Sequence, residues 1–457
     1  MLRMTRERLA WLAVTVLLAL EIRFDVLRLL DPGYKDLFQA DSDALVRAEM
    51  LDPAPVLLPP LGSRGAEYTS QFGLQGMVMN WLSPGDHLYE AMRMTTALLA
   101  AAVLATAVMA SRRAWGNRVA AVLLVLLTLS FWTNGFGAST YWQLWTMLLP
   151  ILVPLLVWPR LGEGRRKWVR GCALVAGLVL LKCLCGYEFI STVLLGSAAA
   201  VAFHEFRGRI DRRLLLRLGV VLVAGVAGFA LAMALHVGQL LALYGDASVI
   251  GERMGERTFS PSSMALALDL ARAQDDPLFG WLLGSGDVVG LWLYQMTAYL
   301  RAPAVTLPAP TATGFGPGVY GIPIWAFVAV YAALAVEAYR GRRPDAALQR
   351  RLAVAGGLGL AGALSWLVLA YGHMINHVHI DAIVFYLPFL PVVFLMIALR
   401  TAEVSRRVWA GRGSRAQPPP AAPRPDDPPT ARLVPDDLVR FPEVPAVRRN
   451  DPSGLPL

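Results

Sequence analysis

The chain of 457 residues is 56% hydrophobic and 16% charged, with a formal net charge of +9. A soluble domain of this length would need roughly a quarter of its residues charged to cover its surface. The composition therefore excludes an ordinary soluble protein and predicts an integral membrane protein. The positive charge lies in short clusters between apolar runs, which argues against nucleic acid as a partner.

The apolar runs predict an all-α, polytopic fold with about ten transmembrane helices. The first run follows several arginines and has no small-residue cleavage site after it, so a retained anchor is favoured over a signal peptide. The predicted spans, in chain order, are Leu9–Asp25, Met94–Ala110, Val119–Trp132, Tyr141–Trp158, Cys172–Cys185, Ser191–Phe206, Leu218–Leu241, Ile322–Tyr339, Leu352–Tyr371 and Ala382–Leu399.

The connections between the spans differ in charge. The connections Thr133–Thr140 and Gly372–Asp381 contain no Lys or Arg. Because positive charge is retained on the cytoplasmic side, the pattern predicts cytoplasmic termini and two long outer loops, about residues 30–93 and 244–321. The basic residues of the alternate connections are Arg112, Arg113, Arg118, Arg165, Arg166, Lys167, Arg170, Arg207, Arg209, Arg212, Arg213, Arg340, Arg342, Arg343, Arg350 and Arg351.

The second outer loop and the carboxyl terminus complete the domain prediction. Phe279–Leu300 is expected to form an interfacial or re-entrant helix, although two further crossings would also satisfy the charge rule. Ala302–Gly318, rich in Pro, Gly and Thr, is typical of a mobile loop. Residues 1–400 are therefore expected to form a transmembrane domain, and residues 401–457 a disordered, Pro-rich cytoplasmic tail.

Polar residues of the first outer loop are the first candidates for chemistry. Asp41 and Asp43 are one residue apart, so their carboxylates could converge on a divalent metal ion or a substrate hydroxyl; alternatively, they only cap a solvated helix. Tyr68, Gln71 and Gln75 occur among glycines and hydroxyl side chains. This segment suits recognition of a hydroxyl-rich ligand, or else forms a turn before the next apolar stretch.

A second candidate cluster, Lys182, Tyr187 and Glu188, lies at the outer end of the fifth predicted span. A lysine at membrane depth is costly unless it faces a partner or a cavity, and Glu188 is the nearest acidic partner in sequence. The alternative is a snorkelling lysine beside a surface glutamate. The functional interpretation is favoured because Lys182 lies toward the outer side, against the positive-inside bias.

The third cluster contains half of the six histidines of the chain. His373, His377 and Asp381 would share one face of a helix. Together with His379 they suit binding of a metal or a phosphate, or acid–base chemistry near neutral pH. The alternative is a polar hairpin that hydrogen-bonds the exposed helix ends.

Two arginines of the second outer loop, Arg253 and Arg257, are suited to bidentate contacts with a lipid phosphate, or else belong to a solvated loop. All of these clusters fall on the predicted outer side. Their convergence predicts one site at the outer membrane interface, built from carboxylates, amides, histidines and cations.

The layout resembles the GT-C superfamily of integral membrane glycosyltransferases. The shared features are a first span, a large outer loop with an acidic motif (here Asp41-Ser42-Asp43), further spans and a second long outer segment with amphipathic helices. Tyr68–Gly76, Lys182–Ser191 and His373–Pro388 are also similar to segments of bacterial members of that superfamily. The resemblance extends from about Leu9 to Leu399 and leaves out the tail.

The resemblance implies a multi-pass enzyme of the bacterial cytoplasmic membrane. It would transfer a sugar from a polyprenyl-phosphate donor, held among the membrane lipids, to an envelope glycan or lipid acceptor on the outer face. Asp43 or Asp41 would act as general base or as ligand of a divalent metal, and outer cations would offset charge on the leaving phosphate. Two alternatives are a lipid or glycolipid transporter and an O-antigen polymerase or ligase.

Overall fold

The computed structural model describes residues 2–31, 33–34, 40, 42–51, 61–63, 66–82, 85–245, 287–308, 319–341, 345–370 and 380–415. The chain divides into two compact units, Met1–Val404 and Ser405–Leu457. The first unit is mostly helical, with two small two-stranded antiparallel sheets. In the second unit the described residues are the last turns of a helix.

The described helices and strands are, in chain order, α1 (Leu2–Phe24), α2 (Ser42–Leu51), β1 (Leu61–Ser63), β2 (Ala66–Tyr68), α3 (Leu74–Leu82), α4 (Tyr89–Trp115), α5 (Asn117–Thr128), α6 (Phe131–Phe136), α7 (Leu144–Val157), α8 (Gly164–Cys185), α9 (Ile190–Glu205), α10 (Arg212–Tyr244), α11 (Asp287–Arg301), β3 (Pro303–Pro308), β4 (Val319–Pro323), α12 (Ile324–Arg340), α13 (Ala346–Leu369) and α14 (Phe389–Arg415). Short 3-10 helices occur at Asp86–Leu88, Trp158–Arg160 and Asp381–Phe385.

Four of the described helical segments are long and apolar enough to cross a membrane: Asp86–Trp115, Gly164–Cys185, Arg212–Tyr244 and Ala346–Leu369. Shorter apolar helical segments occur at Asn117–Thr128, Leu144–Arg160 and Ile190–Glu205. The helical fold with membrane-length apolar helices is as predicted, and each predicted span overlaps a described helix. The number of crossings and their orientation stay predictions.

Ion pairs join the basic connections at one end of the helices. Glu205, at the end of α9, pairs with Lys167 near the start of α8 at 2.7 Å and with Arg217 near the start of α10. Arg113, at the end of α4, pairs with Glu7 near the start of α1 at 3.2 Å. The helix ends that carry the predicted topology signals therefore meet their neighbours through acidic partners.

Small residues let the helices pack closely, as is common in membrane bundles. A Cβ atom on Gly228 of α10 would overlap the carbonyl oxygen of Ala176 on α8. Between α9 and α13, the Thr192 hydroxyl donates to the carbonyl oxygen of Gly362 at 2.9 Å. At both contacts a glycine allows the close approach: backbone meets backbone at Gly228, and a short hydroxyl side chain meets the backbone at Gly362.

The segment Ala302–Gly318 differs from the predicted loop in its first residues. There β3 pairs antiparallel with β4, with the register running from Pro303 opposite Pro323 to Pro308 opposite Val319. The backbone N–H of Thr306 also donates to Leu129, just after α5, at 2.8 Å. Val and Thr favour a strand here, and the prolines lie at its ends, where a missing N–H is tolerated.

One further boundary differs from the sequence prediction, and another is only partly described. The helix predicted over Phe279–Leu300 is described from Asp287 to Arg301, and residues 246–286 lie outside the described residues. It packs through the indole of Trp292, which donates to the Leu367 carbonyl at 3.0 Å. The last helix continues to Arg415, past residue 401, where the sequence analysis places the start of the tail.

The close approach of α8 and α10 gives a test of the packing. We expect Gly228→Leu to lower the stability of the purified protein by roughly 1–3 kcal/mol or more, because the added side chain meets backbone atoms that cannot rotate away. Thermal unfolding in detergent, followed by the loss of monodisperse protein, measures this effect. Gly219→Leu on the same helix is the matched control, since a Cβ there meets no atom within 4 Å. Equal stability of the two variants would contradict the packing.

Candidate functional site

Asp43 is the buried carboxylate at the centre of the site. It lies in the first turn of α2, where a negative charge is favoured by the helix dipole, and is 1% exposed. Its Oδ1 accepts hydrogen bonds from the Ser139 hydroxyl at 2.6 Å and from the backbone N–H of Tyr141 at 3.0 Å. Both donors belong to the segment between α6 and α7. The carboxylate therefore ties the first predicted outer loop to the turn between two later helices.

The environment of Asp43 moves its pKa in opposing directions. Burial raises the pKa of the carboxyl above its ordinary value. The hydrogen bonds from Ser139 and Tyr141 and the positive charge of Arg93 act against this rise. Because burial dominates, the carboxyl binds a proton more readily than an exposed aspartate. A carboxylate with a raised pKa is better matched to general-base catalysis near neutral pH.

A small cavity beside Asp43 is lined by the side chains of Arg23, Arg93 and Asn134. Its volume of about 20 Å³ is room for about one water molecule. Arg93 is 8% exposed and binds Glu90 at 3.2 Å through one terminal nitrogen, whereas its Nε has no hydrogen-bond partner among the described residues. The cavity thus holds one carboxylate together with guanidinium N–H groups that can bind an anion.

A divalent metal ion does not fit the described part of this cavity. Asp43 is its one acidic side chain there, and Arg23 and Arg93 would repel a cation. Within the described ranges, no group of three or more His, Cys, Asp and Glu side chains is arranged to hold a metal. The chemistry of the site is therefore assigned below to the side chains themselves.

Tyr141 connects Asp43 to the second predicted cluster. Its backbone N–H binds Asp43, while its hydroxyl donates to Glu188 Oε1 at 3.1 Å and lies 3.2 Å from the hydroxyl of Tyr68. The phenol therefore acts as a hydrogen-bond donor to the Glu188 carboxylate. Tyr68 and Glu188, more than a hundred residues apart in the chain, meet at this side chain.

Gln71 and Gln75 contribute amides to the same region. Gln71 is 1% exposed, and neither its amide nitrogen nor its amide oxygen has a partner among the described residues. A Cβ atom on Gly186 would lie 2.6 Å from the Gln71 oxygen and 2.5 Å from a Glu188 oxygen, so the glycine lets the chain pass between these groups. The Gln75 amide donates to the Tyr141 carbonyl at 3.2 Å. A buried amide without partners is costly and is expected where a ligand supplies them.

Lys182 is buried at 1% exposure and does not snorkel to a surface. Its ammonium donates to the backbone carbonyl of Gly186, so the predicted pairing with Glu188 is replaced by a bond that holds the end of α8. The ring of Tyr187 lies against the ring of His236, a buried residue of α10, with centroids 5.6 Å apart. Lys182 thus fixes the end of α8, just before Glu188, and Tyr187 packs that end of the helix against α10.

The third predicted cluster is only partly described. Asp381 is fully buried and begins the 3-10 helix Asp381–Phe385, where its charge adds to burial in raising the pKa of Tyr299. None of the hydrogen bonds of Asp43 involves Asp381. The predicted site residues that lie outside the described residues are Asp41, Arg253, Arg257, His373, His377 and His379.

Four residues of the site are absent from the sequence prediction: Arg23, Arg93, Ser139 and Tyr141. Arg23 and Arg93 stand at the predicted outer ends of the first two spans, against the positive-inside bias. That exception is a signal that could have marked them. Ser139 and Tyr141 bind Asp43 across almost a hundred residues, and their types alone carry no such signal.

No family model, no curated protein and no solved structure matches this chain. The side chains around Asp43, Arg93 and Gln71 are therefore the basis on which its chemistry is proposed.

The burial of Asp43 predicts how its replacement changes the stability of the protein. We expect Asp43→Asn to be at least as stable as the wild type at neutral pH, because an amide oxygen can still accept from Ser139 and Tyr141 while the cost of burying a charge disappears. The folded-state pKa of Asp43 lies above the unfolded value. The wild type therefore loses stability as pH rises from the unfolded pKa through the folded one, and the advantage of the variant grows over that window.

Thermal unfolding of both proteins across a pH series measures this difference. Asp43→Ala is the comparison that keeps no acceptor, and leaving two buried donors unpaired is expected to cost about 1–3 kcal/mol. An asparagine variant as unstable as the alanine variant at neutral pH would show that the ionised carboxylate is itself net stabilising.

Proposed function

We propose that the protein is a membrane glycosyltransferase of the bacterial cytoplasmic membrane. It would move a sugar from a polyprenyl-phosphate donor to an acceptor hydroxyl of an envelope glycan or lipid. The observation that carries this proposal is the shared cavity, in which a buried carboxylate of raised pKa lies with a buried guanidinium that has an unpartnered N–H among the described residues. A base and a phosphate-binding cation are the two groups that such a transfer requires.

In this proposal the small cavity widens when the donor binds, Asp43 is the general base and Arg93 binds the donor phosphate. The carboxylate takes the proton of the acceptor hydroxyl as the acceptor oxygen bonds to the anomeric carbon of the sugar. The bond from that carbon to the phosphate oxygen breaks, and the phosphate leaves with the electron pair. Arg93 and Arg23 offset the negative charge that develops on the phosphate. Ser139 and the Tyr141 amide hold the carboxylate in place during the step.

The amides and hydroxyls that lie around Tyr141, the residue whose N–H binds Asp43, are suited to sugar hydroxyls. Gln71 offers a donor and an acceptor that have no partner among the described residues, and Tyr68 and Glu188 meet beside it through Tyr141. Sugars present several hydroxyls that both donate and accept. Buried polar side chains such as these reject ligands that lack hydroxyl groups, because the polar atoms of the protein would then stay unpaired.

The proposed orientation of the protein in the membrane is based on the charge at the two ends of the helices. Glu7 with Arg113, and Glu205 with Lys167, lie at the ends that carry the basic connections. Asp43 lies by Arg23, at the opposite end of α1. With ten crossings and both termini in the cytoplasm, the positive-inside rule places the site at the outer face.

Turnover of labelled polyprenyl-phosphate sugars by the purified, reconstituted protein tests the proposal. We expect Asp43→Asn to lower the transfer rate by roughly 10²–10⁴-fold, the usual contribution of a general base. Asp86→Asn is the matched control, since Asp86 is an exposed carboxylate that pairs with Arg47, a residue of the same helix as Asp43. Wild-type turnover in Asp43→Asn would rule out the assigned base.

The products distinguish the alternatives in the same assay. Label that appears on the opposite face of the vesicle without a new covalent bond identifies a transporter. Transfer of a preformed glycan as a block identifies a polymerase or ligase. One sugar joined to the acceptor in each cycle supports the transferase.

The hydrogen bond from Ser139 predicts the pH dependence of this activity. That bond lowers the pKa of Asp43, so Ser139→Ala raises it further. Because the base must be ionised, we expect the acidic limb of the kcat/KM profile to move to higher pH in the variant. Ser197→Ala is the control, since Ser197 is also buried and bonds to the carbonyl of Pro150. A Ser139→Ala profile that superimposes on the wild type would contradict the role of Asp43.

A further inference from the structure

A large apolar cavity extends from the basic end of the helices into the first unit. Its walls come mainly from α4, α7, α9 and α14, and its volume is about 810 Å³. This volume lies within the range of roughly 300–1,000 Å³ that is typical of sites for small molecules. Ala107 and Ala199 are among the small residues that leave the space open, and Leu148 and Leu395 are among the large apolar residues that line it.

The cavity has one polar end. Arg113 and Arg160 line it there, together with His204, whose Nε2 lies 2.7 Å from the Leu155 carbonyl. No acidic side chain of the described residues lines the cavity. An apolar space with two guanidinium groups at one end matches a molecule with a hydrocarbon chain and an anionic head.

We infer that this cavity binds one anionic phospholipid. An acyl chain of the lipid lies between α4, α7 and α9, and its phosphate binds Arg113 and Arg160. Under the proposed orientation the basic end faces the cytoplasm, so the lipid comes from the inner leaflet, where juxtamembrane arginines attract anionic headgroups. Arg113 also pairs with Glu7 at 3.2 Å, but its side chain is 62% exposed, and such an open pair is readily exchanged for a phosphate. This lipid site is separate from Asp43 and does not depend on the transfer reaction.

Native mass spectrometry of the delipidated protein tests the inference. The probes are phosphatidylglycerol and phosphatidylcholine with identical acyl chains, so that the two lipids differ in the headgroup alone, which is anionic in the first and zwitterionic in the second. We expect one phosphatidylglycerol per protein to bind about tenfold or more tightly than phosphatidylcholine, because the choline cation of the second lipid neutralises its phosphate and is repelled by Arg113 and Arg160. Equal affinity for the two lipids would overturn the inference.

Two sets of variants test the contacts of the lipid headgroup and those of the acyl chain separately. Arg113→Gln with Arg160→Gln is expected to abolish the preference for phosphatidylglycerol, whereas Arg118→Gln, an exposed arginine outside the cavity, keeps it. Ala107→Phe fills the space and is expected to weaken binding of both lipids. Val125→Phe is its control, because Val125 is 54% exposed and does not line the cavity. Unchanged binding in Ala107→Phe, in protein that is monodisperse and as heat-stable as Val125→Phe, would place the lipid elsewhere and overturn the inference.

Discussion

The hydrogen bonds from Ser139 and Tyr141 to the buried carboxylate of Asp43 hold the candidate site together. They join α2 to a turn 96 and 98 residues further along the chain. Without them a carboxylate at 1% exposure would carry the full cost of losing its water. Through Tyr141 the same contact extends to Tyr68 and Glu188. One turn of the backbone therefore positions both the proposed base and the polar side chains that are proposed to bind the sugar.

The two ends of the helical unit differ in how their polar groups are paired. At one end, Glu205 and Glu7 neutralise arginine and lysine side chains that the positive-inside rule assigns to the cytoplasm. At the other, Arg93 and Gln71 are buried with polar atoms that no described residue satisfies. Groups of this kind lower stability and are retained where a ligand completes them. The close packing at small residues between α8 and α10 and between α9 and α13 stabilises the fold and offsets this loss of stability.

Much of the fold and part of the site could be predicted from local patterns. Apolar runs and charge clusters identify the helices. Lys182, for which the sequence indicates a partner or a cavity at membrane depth, is buried and donates to the carbonyl of Gly186. The sequence offers Asp41 and Asp43 equally. The described residues bear on Asp43 alone, through its contact with Ser139, which joins distant segments and leaves no local signal in the sequence. The hairpin of β3 was missed for a related reason: its prolines suggest a loop, while its pairing with β4 and with Leu129 stabilises a strand.

The most direct measurement is a cryo-electron microscopy structure of the protein in lipid nanodiscs with a non-cleavable phosphonate analogue of a polyprenyl-phosphate sugar. The account predicts the phosphonate within hydrogen-bond distance of Arg93 Nε, with the anomeric carbon on the side of Asp43 and sugar hydroxyls on Gln71. An analogue that binds away from Asp43 and Arg93, for example in the large apolar cavity, would contradict the assignment of this site to sugar transfer.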